Sequence, residues 1–192
     1  MPDVLDRIVV TTGDITKLSA DAIVNAANQT LLGGGGVDGA IHRGAGPQLG
    51  EYNRALGGCP TGLAKITPSF NLASSGISHI IHTVGPVWGA DEGVKLGETH
   101  EDVLLASCYQ QSLKLATKHG CKTVAFPAIS TGVYHFPKDR AAKIAFGHVH
   151  GYLLKQEVPE RAIFCCFSDS DADLYRKVIE TRDHWMLNRK RF

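Results

Sequence analysis

The residues best suited to chemistry lie in one glycine-rich segment of the 192-residue chain. Four consecutive glycines at 33–36 follow Asn25 and Asn28 and precede Asp38. Glycine permits positive φ angles and a close approach of backbone to ligand, at an entropic cost that a plain turn has no need to bear. Backbone N–H groups exposed in this way bind anions, most readily where a helix begins. The segment predicts a phosphate-binding loop, and a flexible surface turn is the alternative.

The glycine spacing discriminates between known phosphate-binding motifs. A P-loop requires a Gly-Lys pair, and none follows these glycines. Gly34, Gly36 and Gly39 satisfy the dinucleotide pattern G-x-G-x-x-G. That pattern turns tightly out of a strand, whereas residues 27–32 intervene here, and no strand ending in an acidic ribose ligand follows. A nicotinamide-dependent oxidoreductase is therefore an alternative that rests on the glycines alone.

A third pattern accounts for the whole segment. The sequences NAAN at 25–28 and GGGGVDGAIH at 33–42 resemble the macrodomain family, in particular its MacroD-type hydrolase branch. Further family features follow in the expected order, with GDIT at 13–16, HTVGP at 82–86 and FPAISTGVY at 126–134. The resemblance covers nearly the whole chain. It implies a three-layer α/β/α sandwich that binds ADP-ribose.

The resemblance implies that Asp14 and Ile15 bind adenine. The Asp14 carboxylate would accept a hydrogen bond from the exocyclic amino group, and the Ile15 N–H would meet a ring nitrogen. A carboxylate cannot donate, so it selects the amino edge of adenine over the carbonyl of guanine. Asp14 is also suited to cap a turn or a helix. Phe167 matches a family position for an aromatic against adenine, and the alternative is an ordinary core aromatic.

The resemblance also implies that Asn28 and Asp38 form the catalytic pair at the distal ribose. Asn28 would orient the reacting group. Asp38 would act on the water that hydrolyses an ester, either as general base or by positioning it, and the sequence leaves these mechanisms open. The alternative role of Asp38 is a helix cap. Asn25 is included in the ligand-binding set, although strand periodicity turns it inward, where it would tie down the loop.

Two loops are expected to enclose the diphosphate of the ligand. The first contributes Gly34, Gly35, Gly36 and Val37, and the second contributes Ser130, Thr131, Gly132, Val133 and Tyr134. Tyr134 would pack on the distal ribose. His135 departs from the family pattern, which commonly has glycine there, and this puts the shape of the distal pocket in question. His42, one helical turn after Asp38, is either a partner of that carboxylate or a surface residue.

The elements that must position these residues alternate between strands and helices. Short apolar runs predict strands at 7–11, 22–26, 62–67, 79–84, 123–128 and 162–167. Helical patterns occupy 38–43, 48–56, 101–118, 138–154 and 171–182. This order favours an α/β fold with a mixed, mostly parallel central sheet. We predict one domain at 1–183, an exposed loop at 86–99 and a short basic tail at 184–192.

The composition limits which binding partners and which cellular compartment we expect. The formal net charge of +1 gives no reason to expect nucleic acid, and the basic residues at 189–191 are interpreted as solvated. Five cysteines without metal-binding spacing indicate free thiols in a reducing compartment. No apolar run approaches membrane-spanning length, and the first residues lack a signal pattern. We expect a cytoplasmic protein, also nuclear in a eukaryote, without metal, cofactor or membrane.

The predicted function is hydrolysis of an ester at the distal ribose of ADP-ribose. The substrates would be O-acetyl-ADP-ribose and other acyl esters, or proteins that carry mono-ADP-ribose on acidic side chains. The alternative is a module that binds ADP-ribose without turning it over. Asn28 and Asp38 favour the enzyme, because a pure reader has no need for that pair.

Overall fold

The central element of the fold is a six-stranded sheet, seen in a computed structural model that describes residues 3–89 and 98–189, with side chains as far as Met186. Its strands are β1 (Ile8–Thr12), β2 (Ala22–Ala27), β3 (Ala64–Pro68), β4 (His79–Val84), β5 (Thr123–Phe126) and β6 (Arg161–Cys166). Their order is β1-β6-β5-β2-β4-β3, and only β3 runs antiparallel to its neighbour. The predicted mixed, mostly parallel sheet is confirmed.

Helices cover both faces of this sheet. They are α1 (Gly36–Ala45), α2 (Pro47–Leu56), α3 (His100–Lys118), α4 (Lys138–Leu153), α5 (Asp169–Glu180) and α6 (Arg182–Arg189). Three short 3-10 helices lie at Val4–Arg7, Ile15–Lys17 and Phe70–Ser75, and only the second matches an expectation, that of a turn or helix capped by Asp14. The predicted helices at 38–43 and 171–182 begin too late, since α1 already starts in the glycine run and Ser168 caps α5.

Side chains along each strand point alternately to the two faces of the sheet, so the protein has one hydrophobic core on each face. Val24 of β2 and Phe126 of β5 point to one face, where they pack with α3, α4 and α5. Ile23 and Ala125, each one position earlier, point to the opposite face and pack with Ile41 of α1. Successive strand residues face opposite sides of a sheet, so a strand covered on both faces is apolar at nearly every position. The three-layer arrangement follows.

The carboxyl-terminal segment corrects one prediction. Residues 184–189 belong to helix α6, not to an irregular tail. Trp185 donates from Nε1 to the Val178 carbonyl at 3.0 Å, and its ring lies 6.0 Å from that of Phe146. This part of the expected tail therefore packs on the core. Residues 190–192 lie outside the described part of the chain.

The predicted exposed loop at 86–99 is described only at its two ends. Val87 and Gly89 are exposed, whereas Pro86 is buried and Trp88 half-buried. Residues 90–97 lie outside the described residues. Thr99 begins α3 with a capping box, in which its side chain and that of Asp102 each accept from the other's backbone N–H. None of the described helices is long and apolar enough to cross a membrane.

Candidate functional site

A cavity of about 850 Å³ opens at the carboxyl ends of the parallel strands. Its walls come from the segments that follow β1, β2, β4, β5 and β6. Of the sequence-predicted site residues, all but Asn25 line it: Asp14, Ile15, Asn28, Gly34, Gly35, Gly36, Val37, Asp38, Ser130, Thr131, Gly132, Val133, Tyr134 and Phe167. The site therefore lies where ligands bind in open α/β sheets.

Asn25 does not reach the cavity. It is fully buried in β2 and donates from Nδ2 to Asp38 Oδ1 at 2.7 Å. The inward orientation that strand periodicity predicted is present, and Asn25, although expected among the ligand-binding residues, does not line the cavity. Its amide lies behind Asp38 and holds that carboxylate in place.

Asp38 occupies the third position of α1, inside the helix. The N-cap of α1 is Gly35, which provides no side-chain hydrogen bond. The capping alternative for Asp38 is therefore wrong. Its Oδ1 is held by Asn25, and a methyl group on Gly34 would lie 3.1 Å from its Oδ2. The second oxygen of Asp38, Oδ2, therefore faces Gly34 and the cavity.

The electrostatic setting of Asp38 makes it more basic than an exposed aspartate. Burial raises the pKa of its carboxyl, and this outweighs the hydrogen bond from Asn25 and the nearby His42, which both lower it. His42 Nε2 lies 3.5 Å from Asp38 Oδ1, and the His42 side chain is 17% exposed. His42 therefore faces the carboxylate as a partner, and the surface alternative does not apply.

Asn28 shapes the glycine loop as well as the cavity. Its Oδ1 accepts from the backbone N–H of Thr30 at 3.1 Å and from the Thr30 hydroxyl at 2.6 Å. Its Nδ2 donates to the Gly33 carbonyl at 3.0 Å. A methyl group on Gly34 would lie 3.5 Å from this Nδ2. The amide has a second hydrogen, so Asn28 can hold the loop and still donate to a ligand.

The first helical turn of α1 presents backbone donors to the cavity. Gly36, Val37 and Asp38 are the first helical residues, and the first N–H groups of a helix have no acceptor within it. Gly36 has φ of 58°, a left-handed conformation that glycine adopts without strain. The helix dipole adds partial positive charge at this end. This arrangement suits a phosphate, as the glycine run predicted.

The second loop is held by backbone hydrogen bonds on its outer side. The N–H of Trp88 donates to the Tyr134 carbonyl at 2.8 Å, and that of Phe136 donates to the Ser130 carbonyl at 2.9 Å. A methyl group on Gly85 would overlap the Ser130 hydroxyl and lie 2.7 Å from Ile129. Glycine at 85 is therefore needed for the loop to approach β4. Val133, 85% exposed, stands at the cavity wall as an apolar cover.

His135 takes a backbone conformation that glycine adopts more readily than histidine does. Its φ is 55°, in the left-handed region, and its N–H donates to the Gly132 carbonyl at 3.0 Å. A β-carbon is disfavoured there by about 1–2 kcal/mol. His135 is exposed and does not line the cavity. His135 therefore adds backbone strain and is not part of the cavity lining in the described structure.

The opposite end of the cavity carries the residues predicted for adenine. Asp14 Oδ1 accepts from the Thr16 N–H at 2.9 Å and from the Thr16 hydroxyl at 2.7 Å, so Asp14 does cap a short helix. The Thr16 hydrogen bonds lower the pKa of Asp14 against the effect of burial. Its other oxygen is available to a donor in the cavity. Phe167 is 94% exposed, so the core-aromatic alternative is wrong.

Several cavity residues were not found by sequence reasoning. Lys138 pairs with Asp171 at 2.6 Å, and both lie on the wall, as do Arg43, Gly85 and Cys165. Lys138 begins a predicted helix four residues after Tyr134, and this proximity was the only signal. Arg43 follows His42 on α1. Nothing in the sequence places Asp171 beside Lys138, because their pairing depends on how α4 and α5 pack.

The sheet and its cavity define an α/β domain with a ligand-sized site at the carboxyl edge of its strands. Residues 24–145 match the family model described as Macro domain. The chain belongs to the macrodomain family, and the resemblance drawn from its motifs is confirmed.

Relatives in several organisms extend over most of the chain. A macro domain-containing protein of Mesorhizobium japonicum is 55% identical, covering 93% of this chain and 97% of the relative. The O-acetyl-ADP-ribose deacetylase of Escherichia coli is 46% identical, covering 90% and 95%. The Trypanosoma brucei macrodomain in complex with ADP-ribose is 38% identical with a TM-score of 0.81, covering 92% of this chain and 70% of that one.

Proposed function

We propose that this chain is an ADP-ribose-binding hydrolase that cleaves esters at the distal ribose. One observation carries the proposal: Asp38 Oδ2 and Asn28 Nδ2 lie 3.1 and 3.5 Å from the position that a Gly34 methyl group would occupy. The missing side chain leaves room beside an amide donor and a carboxylate acceptor. A sugar hydroxyl and an attacking water need this combination of groups.

The ligand would lie along the whole cavity. Adenine would meet Asp14 and Phe167, the diphosphate would contact the N–H groups of Gly36 and Val37, and the distal ribose would reach Asp38. A cavity of about 850 Å³ is within the usual range for ligands of this size, about 300–1,000 Å³. The Trypanosoma brucei structure with ADP-ribose and the name of the Escherichia coli relative support this choice of ligand and reaction.

The raised pKa of Asp38 favours its role as general base. The water oxygen would attack the acyl carbon while its proton passes to Asp38 Oδ2. The tetrahedral intermediate would then collapse, and the ribose oxygen would leave with the proton that Asp38 returns. Asn28 would orient the ribose by donating from Nδ2. No metal or cofactor takes part in this sequence of steps.

Two substrate classes contain the same bond. In O-acetyl-ADP-ribose, the acyl group is acetate, and in a protein modified on an acidic residue it is the side-chain carboxyl. Val133 and Phe167 are exposed at the cavity wall, which leaves it open to solvent. We propose that both substrates are hydrolysed. A peptide with mono-ADP-ribose on glutamate tests the second class, since release of ADP-ribose is expected.

Release of acetate from O-acetyl-ADP-ribose tests the reaction, with Asp38→Asn as the decisive variant. Asparagine keeps the shape and the acceptor for Asn25 but cannot take a proton. We expect kcat to fall by about 10²–10⁴-fold, the usual contribution of a general base. Asp139→Asn is the control, because that exposed carboxylate only pairs with Lys143 one turn along α4.

Three outcomes would contradict the proposal. Binding of ADP-ribose without acetate release would make the chain a reader. Equal turnover by Asp38→Asn and the wild type would remove Asp38 from catalysis. Tight NAD binding with hydride transfer would favour the oxidoreductase alternative. The chain has the glycine spacing of that class but lacks its tight turn, because residues 28–35 separate β2 from α1.

The cellular compartment is a separate proposal. All five cysteines are free, and all are buried. Burial raises the pKa of the Cys165 thiol at the cavity to about 11, so it stays protonated and unreactive at neutral pH. We propose a reducing compartment such as the cytoplasm, where free thiols persist.

A further inference from the structure

A line of buried polar side chains leads from the middle of the sheet to Asp38. Thr67 Oγ1 lies 3.1 Å from His82 Nε2, and His82 Nδ1 lies 3.1 Å from Asn25 Nδ2. Asn25 Nδ2 in turn lies 2.7 Å from Asp38 Oδ1. Thr67, His82 and Asn25, here called the polar line, are nearly inaccessible to solvent. They connect β3, β4 and β2 to helix α1.

The register of the strands places these residues side by side. Asn25 stands opposite His82 in the parallel β2–β4 pair. His82 stands opposite Lys65 in the antiparallel β3–β4 pair, and Thr67 is two residues further, on the same face as Lys65. The neighbouring positions on this face are apolar, with Ile23 and Ile80 packed in the core under α1. A polar group in such a place destabilises the core unless it is hydrogen-bonded.

The proton positions along the polar line follow from its two ends. The Thr67 hydroxyl donates to the Pro68 carbonyl at 3.0 Å, so it must accept from His82 Nε2–H. His82 Nδ1 then carries no proton and accepts from Asn25. The carboxylate of Asp38 can only accept, so the NH₂ group of Asn25 faces both partners. Each donor meets an acceptor, and a single direction of hydrogen bonding results.

We infer that His82 and Thr67 are positioning residues for ester hydrolysis: they fix the Asn25 amide and, through it, the orientation of Asp38. This inference rests on the proposed function. Burial lowers the pKa of His82 to about 3, so its ring stays neutral and able to accept at neutral pH. Without an acceptor at His82, the Asn25 amide loses one of the contacts that set its rotation. Its oxygen could then turn toward Asp38 and repel the carboxylate.

Thr67→Val is the informative variant, because valine matches threonine in shape and lacks the hydroxyl. His82 Nε2–H then has no acceptor, which favours the other tautomer and places an N–H against Asn25 Nδ2. We expect kcat to fall by about 10- to 100-fold through displacement of Asp38, with KM within about twofold of wild type because neither residue lines the cavity. Thr67→Ser, which keeps the hydroxyl, should restore wild-type kcat.

The pH profile separates positioning from a general loss of stability. Losing the Asn25 donor raises the pKa of Asp38, so the acid limb of kcat should move to higher pH in Thr67→Val. The titratable groups facing Asp38 are His42 on the same helix and His82 behind Asn25, and residues 28–36 contain none. Thr83→Val is the matched control, since Thr83 is equally buried, adjacent to His82 and bonded to the Leu63 carbonyl instead. It should lower stability and leave both kcat and the acid limb unchanged.

Nitrogen NMR of the His82 ring tests the proton assignment in the unmodified protein. An Nε2–H tautomer with unprotonated Nδ1 is expected at pH 7, and a proton on Nδ1 would overturn the inference. Wild-type kcat and acid limb in Thr67→Val would overturn it as well, as would equal losses in Thr67→Val and Thr83→Val. If the wild-type chain released no acetate at all, the proposed function would fail together with the inference. A normal wild type with an unaffected Thr67→Val removes the inference alone.

Discussion

The carboxylate of Asp38 is placed where catalysis and stability conflict. Burial raises its pKa, so the folded chain holds the proton on Asp38 more tightly than the unfolded chain does. Folding stability therefore decreases as pH rises through this range, and ionised Asp38 destabilises the native state at neutral pH. Ionised Asp38 therefore does not contribute to stability at neutral pH, and the proposed proton transfer gives it a different role.

Asp38→Asn is accordingly expected to be more stable than wild type at pH 7 and no more stable at pH 3, where both side chains are neutral. Melting temperatures at the two pH values measure this difference. In the wild-type protein, the acid limb of hydrolysis should lie above the ordinary pKa of aspartate. A variant less stable than wild type at pH 7 would show that the Asn25 hydrogen bond outweighs burial.

Asp14 is expected to select the base of the ligand. One of its oxygens is occupied by Thr16, and the other is open to the cavity. In Asp14→Ser, the hydroxyl can still cap the short helix, but the contact with the adenine amino group is lost. We expect ADP-ribose affinity to fall by about 10- to 100-fold, as for a hydrogen bond to a charged group. Calorimetry with ADP-ribose measures it, and unchanged affinity would move adenine elsewhere.

Segment 130–135 contains two non-glycine residues in the left-handed region, Ser130 with φ of 66° and His135. His135 is non-glycine at φ of 55°, and its exposed ring does not line the cavity. Glycine would remove a strain of about 1–2 kcal/mol. It would also lower the stability by about 0.5–1 kcal/mol, because glycine gives the unfolded chain more conformational entropy. His135→Gly should therefore stabilise the chain by about 0.5–1 kcal/mol, or raise Tm by about 1–4 °C.

His135→Ala is the control for this prediction, because alanine removes the ring and keeps the β-carbon that causes the strain. Its melting temperature should stay near that of wild type. An equal increase in Tm for the alanine and glycine variants would show that the imidazole, and not the β-carbon, causes the strain. Thermal unfolding followed by circular dichroism is sufficient for both variants.

The strands, the main helices and the contents of the cavity could be predicted because they depend on local pattern and on motif. Helix α6 could not, since it is short and mostly polar and its order comes from Trp185 packing on Phe146. The start of α1 was missed because glycines disfavour helix, and here tertiary structure overrides that preference. The contact of His82 with Asn25 depends on strand register, which one sequence does not reveal.

Histidines whose pKa is lowered in the folded chain make the stability of the molecule depend on acid. Burial lowers the pKa of His82, His79 and His150. Below about pH 6.5, the unfolded chain takes up protons at these positions that the folded chain does not. Stability is therefore lost as pH falls, by about 1.4 kcal/mol per pH unit for each histidine that stays neutral when folded.

A decrease in Tm of at least about 2–4 °C is expected between pH 6.5 and pH 5.5, from His82 alone. The raised pKa of Asp38 acts in the opposite direction. Differential scanning calorimetry across this interval measures the net effect. A flat or rising Tm would mean that these histidines are protonated in the folded chain.

In the proposed complex, the diphosphate would face Gly35, Gly36, Val37, Thr131 and Gly132 of the cavity lining and would be bound by their peptide N–H groups. Peptide N–H groups do not titrate in the range where carboxylates do, so moderate acid leaves them able to hold an anion. By the proposed mechanism, protonation of Asp38 would stop hydrolysis in that same range. A folded chain in mildly acidic buffer should therefore trap the intact ester, which gives crystallography a means of capturing the substrate without any mutation.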